Sequence, residues 1–429
     1  MKLRDGPAAV SEYRFMHKAT EGCFIVLWEG ASTGLIRKSE DLPYGKKPNP
    51  GEMVNPRADT RRFRDFFSVT REKERCMKNL EKAISAIRPP DNEVYEQALE
   101  RLARQARPAG SLGILEEVSA RLAAIKGTLD VRLDKRMVIT CAGDHGVVDE
   151  GVSLFPREVT PQMVMNFVND GASVNVLARH VGAEVKAADL GVDFDFDPDL
   201  PIFHKKVRKG TSNFTSGPAM ARDEAIASIN AGIAIVDELF EKGRVDLLGT
   251  GDMGIGNTTP SAAVIAAFSG IDPEKLTGRG TGIDDAMLSN KIRVIRKGLE
   301  VNQPDPGDAI DVLAKVGGFE IGGLAGLVIG AAAHGIPVVC DGLISTAGAL
   351  IACELAPGAK AYLFAGHRSV EAGHRFMHER LNLTPLLDVG FRLGEGTGAA
   401  LAFHLMCAST RILAEIKTFE EVAIKNANR

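Results

Sequence analysis

Two kinds of hydrophobic pattern alternate along this chain. From Met77 onward, apolar residues recur at intervals of three and four, as in Met77–Ile84, which is the spacing of one helix face. Between such segments lie short runs of apolar and β-branched residues, which are typical of buried strands. The runs that predict strands are 137–140, 184–188, 245–248, 337–340 and 361–364. This alternation predicts an α/β fold.

Polar, glycine-rich turns follow four of the predicted strands. They are Ala142–Gly146, Gly249–Asp252, Asp341–Gly342 and Ala365–Arg368. Apolar strands of this kind indicate a parallel sheet, in which ligands bind beyond the carboxyl ends of the strands. We therefore predict a doubly wound, mostly parallel, Rossmann-like sheet with all four turns on one edge.

The patterning also predicts four regions. Residues 1–76 are rich in charge, Pro and Gly and lack periodicity, which predicts an appended extension, flexible or arising from a misassigned start. Residues 128–390 are predicted to form the large α/β domain. Residues 77–127 and the helices of residues 391–429 are predicted to pack together as a smaller helical domain.

Composition narrows the class of protein. With 429 residues, 45% hydrophobic and 25% charged, the chain is predicted to be globular with an ample core. A net charge of −4 argues against nucleic acid as a partner. Six scattered cysteines without a C-x-x-C pair predict reduced thiols in the cytoplasm. The most apolar stretch, 321–333, is too short to span a bilayer and predicts a buried helix rather than membrane contact.

The first candidate for chemistry is a carboxylate among glycines, Glu395 in the segment Phe391–Gly398. Glycines let a ligand approach the backbone, and the apolar residues 399–403 leave this carboxylate poorly solvated. Both features suit a general base. A carboxylate in the first turn of a helix, where it complements the helix dipole, is the alternative. The octapeptide alone leaves both hypotheses open.

The second candidate is the glycine-rich segment Gly249–Pro260, which precedes an apolar helix. Its glycines free backbone N–H groups to face an anion, and the positive end of the helix points toward them. The side chains that supply further hydrogen bonds are Asn257, Thr258 and Thr259. This pattern predicts a phosphate site. A connection without a ligand stays open, and so does a dinucleotide site, because Gly249, Gly251 and Gly254 match G-x-G-x-x-G.

Other constellations carry weaker signals. His374 and His378 are spaced to share a metal with His367, but the Glu of H-E-x-x-H is missing, so no metal is predicted. The pair Asp144–His145 lacks the G-x-S-x-G elbow of a hydrolase. Lys291 and Arg296 are five residues apart and do not share a helix face, which predicts a solvated amphipathic helix.

Six motifs in one order resemble the nicotinate-nucleotide:dimethylbenzimidazole phosphoribosyltransferase family. The resemblance covers about residues 77–420 and rests on Ala142–Val147, Gly151–Val164, Asp252–Thr259, Gly280–Asp285, Ala365–Ser369 and Arg392–Gly398. Together these motifs are far more specific than any one of them.

The resemblance implies an activity. The family moves the phosphoribosyl group of nicotinate mononucleotide to 5,6-dimethylbenzimidazole, giving nicotinate and α-ribazole 5′-phosphate for the lower ligand of cobalamin. Its leaving group departs neutral at nitrogen, so one base suffices. Carried over by motif, Glu395 is the general base, Asp252 a supporting carboxylate and Lys291 a residue near the ribose phosphate. The resemblance implies small-molecule substrates, no metal or redox cofactor, and a homodimer.

The resemblance also assigns two binding regions. The phosphate and ribose are expected at Gly254, Gly256, Asn257, Thr258, Thr259, Gly280 and Gly282. The base is expected to border Met253, Leu393 and Gln162. The family usually has Glu where this chain has Asp252, which leaves the acceptor open among benzimidazoles, purines and phenols. Two further hypotheses stay open, a non-catalytic nucleotide-binding homologue and a dinucleotide-dependent oxidoreductase.

Overall fold

The computed structural model describes residues 75–243 and 245–424, together with three short strands nearer the N-terminus. These strands are β1 (Arg14–Phe15), β2 (Phe24–Leu27) and β3 (Gly34–Ile36), which form an antiparallel sheet in that order. The chain divides into two compact units, Met1–Arg75 and Cys76–Arg429. The predicted flexibility of residues 1–76 lies mostly outside the described residues.

The second unit is built on a seven-stranded parallel sheet in the order β10-β9-β8-β7-β4-β5-β6. Its strands are β4 (Arg136–Gly143), β5 (Glu184–Gly191), β6 (Phe203–His204), β7 (Leu247–Met253), β8 (Val338–Cys340), β9 (Leu363–His367) and β10 (Pro385–Leu387). The chain builds outward from β4 to β6 and then returns to add β7 on the other side of β4. The direction of winding changes at this point, where doubly wound folds bind ligands. The predicted fold class is confirmed.

Local patterning located the inner strands better than the edges. All five predicted runs contribute to strands, but β6 and β10 are only two and three residues long and offer no periodicity to detect. Strand β7 runs on through the predicted turn as far as Met253. Strand β9 likewise includes Ala365–His367. The predicted polar turns therefore lie partly on the ends of strands.

Fourteen described helices surround the sheet. They are α1 (75–86), α2 (Asn92–Arg104), α3 (Ile114–Lys126), α4 (Val159–Val168), α5 (Ser173–His180), α6 (Arg222–Glu241), α7 (Thr258–Ser269), α8 (Pro273–Leu276), α9 (Asp285–Asn302), α10 (Ala309–Val316), α11 (Phe319–Ala333), α12 (Leu343–Leu355), α13 (Ala372–Leu381) and α14 (Thr397–Glu415). Helix α11 is the buried helix predicted from its apolar sequence. A β-carbon at Gly232 of α6 would lie 2.0 Å from the carbonyl oxygen of Gly323, so glycine is what lets these helices cross closely.

Helices from both ends of this unit contact each other. Arg101 of α2 donates to the Leu413 carbonyl at 2.8 Å, and Ser119 of α3 donates to the Ser409 carbonyl at 2.7 Å. Within the described part of the chain, α14 alone is long and apolar enough to cross a membrane, and half of that segment is buried. Contacts with α3, α5 and β9 account for its apolar face.

Candidate functional site

The carboxyl ends of β7, β8 and β9 border a cavity of about 380 Å³. The remaining walls come from α4, the 279–281 loop and the 392–395 segment. Ten residues singled out from the sequence line it: Asp252, Met253, Gly254, Gly256, Asn257, Thr258, Gly280, Lys291, Leu393 and Glu395. The fold therefore assembles segments that lie more than a hundred residues apart in the chain.

Three of the expected residues do not line the cavity. Gln162 is exposed, because Val159 and Met163, one helical turn apart on α4, face the cavity instead. Thr259 is fully buried in the first turn of α7. Gly282 lies one residue beyond the lining residue Thr281 and is exposed.

The Glu395 backbone adopts an uncommon conformation. Its φ is +63°, between Gly394 at +86° and Gly396 at +101°, so three successive residues occupy positive φ. A non-glycine residue in this region costs of the order of 1 kcal/mol or more, and it persists only when its surroundings hold it. The Glu395 amide donates to the Asp252 carbonyl at 3.2 Å, and the Thr140 hydroxyl donates to the Glu395 carbonyl at 2.8 Å.

The Glu395 side chain turns away from the helix that follows it. Helix α14 begins at Thr397, whereas Oε2 of Glu395 accepts the Val174 amide at 3.2 Å, in the first turn of α5. The carboxylate is buried, and burial raises its pKa; the Val174 bond opposes that rise and the negative Asp341 reinforces it. A carboxylate with a raised pKa is a better proton acceptor at neutral pH.

A second carboxyl group, Asp252, lies at the end of β7. Oδ2 accepts the Asn257 amide group at 3.0 Å, while Oδ1 has no hydrogen-bond partner among the described residues. Burial raises the pKa of Asp252 well above the usual range, and the charges of Asp341, Glu320 and Glu395 reinforce that rise. Burial and neighbouring negative charge thus both disfavour the ionised form of Asp252.

The opposite end of the cavity suits an anion. The turn after β7 places Gly254–Asn257 before the first residue of α7, where backbone N–H groups and the helix dipole favour negative charge. Nζ of Lys291 donates to the Thr258 hydroxyl at 2.6 Å and is almost completely buried. Burial lowers the pKa of Lys291 to about 8, while the nearby Glu371 acts in the opposite direction.

Known proteins share this whole unit. A family model described as Phosphoribosyltransferase matches residues 87–424. Proteins named nicotinate-nucleotide–dimethylbenzimidazole phosphoribosyltransferase from Geotalea uraniireducens (strain Rf4) and Geobacter sp. (strain M21) are 58% and 56% identical over 348 residues, 81% of this chain and 99% of each relative. The chain belongs to this phosphoribosyltransferase family.

The fold agrees with that membership. A crystal structure of the family enzyme from Thermus thermophilus is similar with a TM-score of 0.75 and 42% sequence identity. The similarity covers 79% of this chain and 100% of that one. The family region begins after α1, so residues 1–86 lie outside the family match.

Several lining residues of this family member were not among those expected. Glu371 accepts the Gly280 amide at 2.9 Å through Oε1, and its Oε2 has no partner within the described residues. His367 is buried at the end of β9 and lines the cavity, and Asp341 lies beside it after β8. Asp341 and His367 follow predicted strands, which is a usable sequence signal. Glu371 lies in none of the six family motifs, so no sequence signal pointed to it.

The dinucleotide hypothesis does not fit the family fold. Gly249 and Gly251 lie within β7 and face neighbouring elements. A β-carbon at Gly251 would lie 2.2 Å from the Glu395 carbonyl oxygen, and one at Gly249 would lie 2.8 Å from the Phe403 ring. The match to G-x-G-x-x-G therefore reflects packing inside the sheet.

The histidine signals have structural explanations. Nδ1 of His374 accepts the Ser369 amide at 3.0 Å, and its Nε2 lies 2.9 Å from the Thr346 hydroxyl. No group of three or more possible metal ligands occurs among residues 75–243 and 245–424. His145 pairs with the buried Glu320 at 2.8 Å and lies beside Gly254, at the start of the turn after β7.

Proposed function

We propose that this chain transfers the phosphoribosyl group of nicotinate mononucleotide to 5,6-dimethylbenzimidazole or a related base, yielding nicotinate and α-ribazole 5′-phosphate for cobalamin assembly. The observation that carries this proposal is a buried carboxylate with a raised pKa, Glu395, in the same cavity as the anion site at Lys291. The curated relatives carry the name of this pentosyltransferase.

The chemistry follows from the carboxylate at one end of the cavity and the anion site at the other. One nitrogen of the benzimidazole attacks C1′ of the ribose while Glu395 takes the proton from the other nitrogen. The C1′–N bond to nicotinate breaks, its electron pair stays on the pyridine nitrogen, and the configuration at C1′ inverts. The carboxylate also stabilises positive charge that develops on the ribose. Asp252, whose ionised form burial disfavours, is the supporting carboxyl group of this step.

The cavity offers each substrate a suitable surface. The nucleotide phosphate binds at the turn Gly254–Thr258 with Lys291, and the 280–282 loop lies beside it. The base lies between Met253 and Leu393, and the apolar side chains of α4 extend the same wall. Thr259 is buried in the first turn of α7 behind the phosphate-binding turn, whereas Gly282 and Gln162 lie outside the lining and receive no role in binding.

The proposal also specifies the class of substrate, the compartment, the need for cofactors and the oligomeric state. The substrates are small molecules, the reaction takes place in the cytoplasm, and it needs neither a metal nor a redox cofactor. The protein acts as a homodimer, for which the support is apolar surface at the cavity mouth: Leu154, Phe155 and Leu393 are 52%, 48% and 57% exposed. Light scattering is expected to give twice the chain mass. A monomer mass at working concentration would contradict the proposed homodimer.

The activity is tested with purified protein and nicotinate mononucleotide. The acceptors, supplied together in equal amounts, are 5,6-dimethylbenzimidazole, benzimidazole, adenine and p-cresol. Nicotinate release and product mass are followed together. We expect release to require an acceptor and to give one dominant α-riboside phosphate, which also ranks the acceptors.

Two other outcomes have definite meanings. Tight nucleotide binding without ribosylation of any acceptor would identify a binding protein, with Asp252 the first residue to replace by Glu. A change in nicotinamide absorbance on mixing with a reduced dinucleotide would revive the oxidoreductase hypothesis.

A further inference from the structure

The Glu395 segment is tied to a buried carboxylate that lies outside the expected site. Asp341 follows β8 and is completely buried. Its Oδ2 accepts the Gly396 amide at 3.1 Å, and its Oδ1 accepts the amides of Gly398 at 2.6 Å and Ala399 at 3.1 Å. Three backbone groups that flank Glu395 on its C-terminal side therefore converge on one side chain.

The strain in this segment explains why such a tie is needed. Glu395 and both neighbours have positive φ, a conformation that the local sequence does not favour for a non-glycine residue. The first amides of α14 also have no partner within their own helix. Asp341 satisfies both needs, because it accepts the first-turn amides and the Gly396 amide together.

A buried histidine lies beside Asp341. His367 of β9 is buried, and its Nε2 lies 3.7 Å from Oδ1 of Asp341. Burial raises the pKa of Asp341, whereas His367 and the three amide bonds oppose that rise. Because both carboxyl oxygens already accept N–H groups, the contacts suit the ionised form.

We propose that Asp341, backed by His367, is a positioning residue that holds the strained Glu395 segment so that the Glu395 carboxylate faces the reacting base. This inference rests on the proposed role of Glu395 as general base and adds the group that orients it. It also links the two carboxylates electrostatically, since the negative Asp341 opposes ionisation of Glu395.

Four elements contribute the titratable groups around Asp341 and Glu395. Asp341 stands after β8, His367 ends β9, Asp252 ends β7, and Glu320 lies in the first turn of α11. Of these, Asp341 acts directly on Glu395, while Glu320 acts on Asp252. Replacing Asp341 by a neutral residue therefore removes a negative charge that raises the pKa of Glu395.

The test compares Asp341→Asn with a matched control. Asn keeps the size of the side chain but removes the charge and part of its accepting capacity. The control is Asp189→Asn on β5, a buried aspartate that accepts the Val192 amide at 2.9 Å and pairs with Lys206 at 3.1 Å, away from the cavity. Nicotinate release is measured from pH 5 to 9 for both variants and the wild type.

For Asp341→Asn we expect kcat to fall about 10- to 100-fold, as is typical when an orienting partner is lost, while KM for the nucleotide changes less than about threefold. The acid limb of the kcat profile should move to lower pH, because a nearby negative charge no longer opposes ionisation of Glu395. Asp189→Asn should lower thermal stability without moving that limb.

Failure of the general-base role and failure of the positioning role give different results. If Glu395→Gln keeps wild-type turnover, the general-base role itself fails. If Glu395→Gln is inactive but Asp341→Asn keeps the wild-type kcat and acid limb, the positioning role fails. If circular dichroism shows that Asp341→Asn does not fold, the same measurements are made on Asp341→Ser. If neither variant folds while Asp189→Asn does, Asp341 serves stability alone and the inference is overturned.

Discussion

The two ends of the cavity differ in charge, yet burial acts on both in the same sense. At one end, burial raises the pKa of the Glu395 and Asp252 carboxyl groups. At the other, burial lowers the pKa of the Lys291 ammonium group to about 8. Desolvation disfavours the charged form in each case. Burial thus favours the uncharged form of the titratable groups at both ends of the cavity.

The ends also differ in how their groups are held. The carboxylate end depends on a strained backbone and long-range amide contacts, as at Glu395. The anion end is a strand, a turn and a helix start in direct sequence, with Lys291 brought to it by α9. We therefore expect changes at the first end to affect turnover and changes at the second to affect nucleotide binding.

The largest expected effect comes from Glu395→Gln. The amide cannot accept the proton, so kcat should fall by about 10² to 10⁴, the range for loss of a general base, while the nucleotide KM stays near that of the wild type. Steady-state nicotinate release measures both constants. Glu300→Gln, on the exposed face of α9, is the control and should behave as wild type. Equal turnover in the two variants would remove Glu395 from its role.

A smaller and different effect is expected from Lys291→Met. Methionine fills the buried space of the lysine chain without its charge. Loss of one charge-assisted hydrogen bond, worth about 1.5–3 kcal/mol, should raise the nucleotide KM about 10- to 100-fold and change kcat much less. Isothermal titration with the nucleotide checks the binding step directly. A fall confined to kcat would contradict the division between the two ends.

The pH dependence of the nucleotide KM tests the same difference between the two ends of the cavity. Lys291 is protonated below its pKa of about 8, and in the proposed reaction the phosphate binds that protonated form. The nucleotide KM should therefore be flat below that value and rise by up to about tenfold per pH unit above it. Lys291→Met should lose this alkaline rise. If the variant keeps it, another group titrates at the anion end.

The smallest change is expected from Asp252→Asn. Burial raises the pKa of Asp252 well above its usual range and so favours the neutral carboxyl group, which Asn resembles in shape and charge. Turnover should stay within about fivefold of wild type. Asp252→Ala, which leaves the Asn257 amide without its partner, should be more harmful. A loss of turnover in Asp252→Asn as large as in Glu395→Gln would show that the ionised form is required.

Much of this fold could be predicted because its signals are local. Apolar runs located the inner strands, and the sequence of α11 predicted a buried helix. The short edge strands β6 and β10 carry no such signal. Glycines were ambiguous from sequence, because Gly251 and Gly254 look alike there. In the fold Gly251 gives room to the Glu395 carbonyl, while Gly254 begins the turn at the anion site.

The sequence by itself determined the α/β class and the glycine-flanked acid, since periodicity and backbone freedom are properties of neighbouring residues. Only the tertiary structure decided that Glu395 accepts an amide from α5, that Gln162 lies outside the cavity lining and that Asp341 accepts three backbone amides next to Glu395. Burial and electrostatic coupling arise between residues far apart in the chain, and no local pattern encodes them.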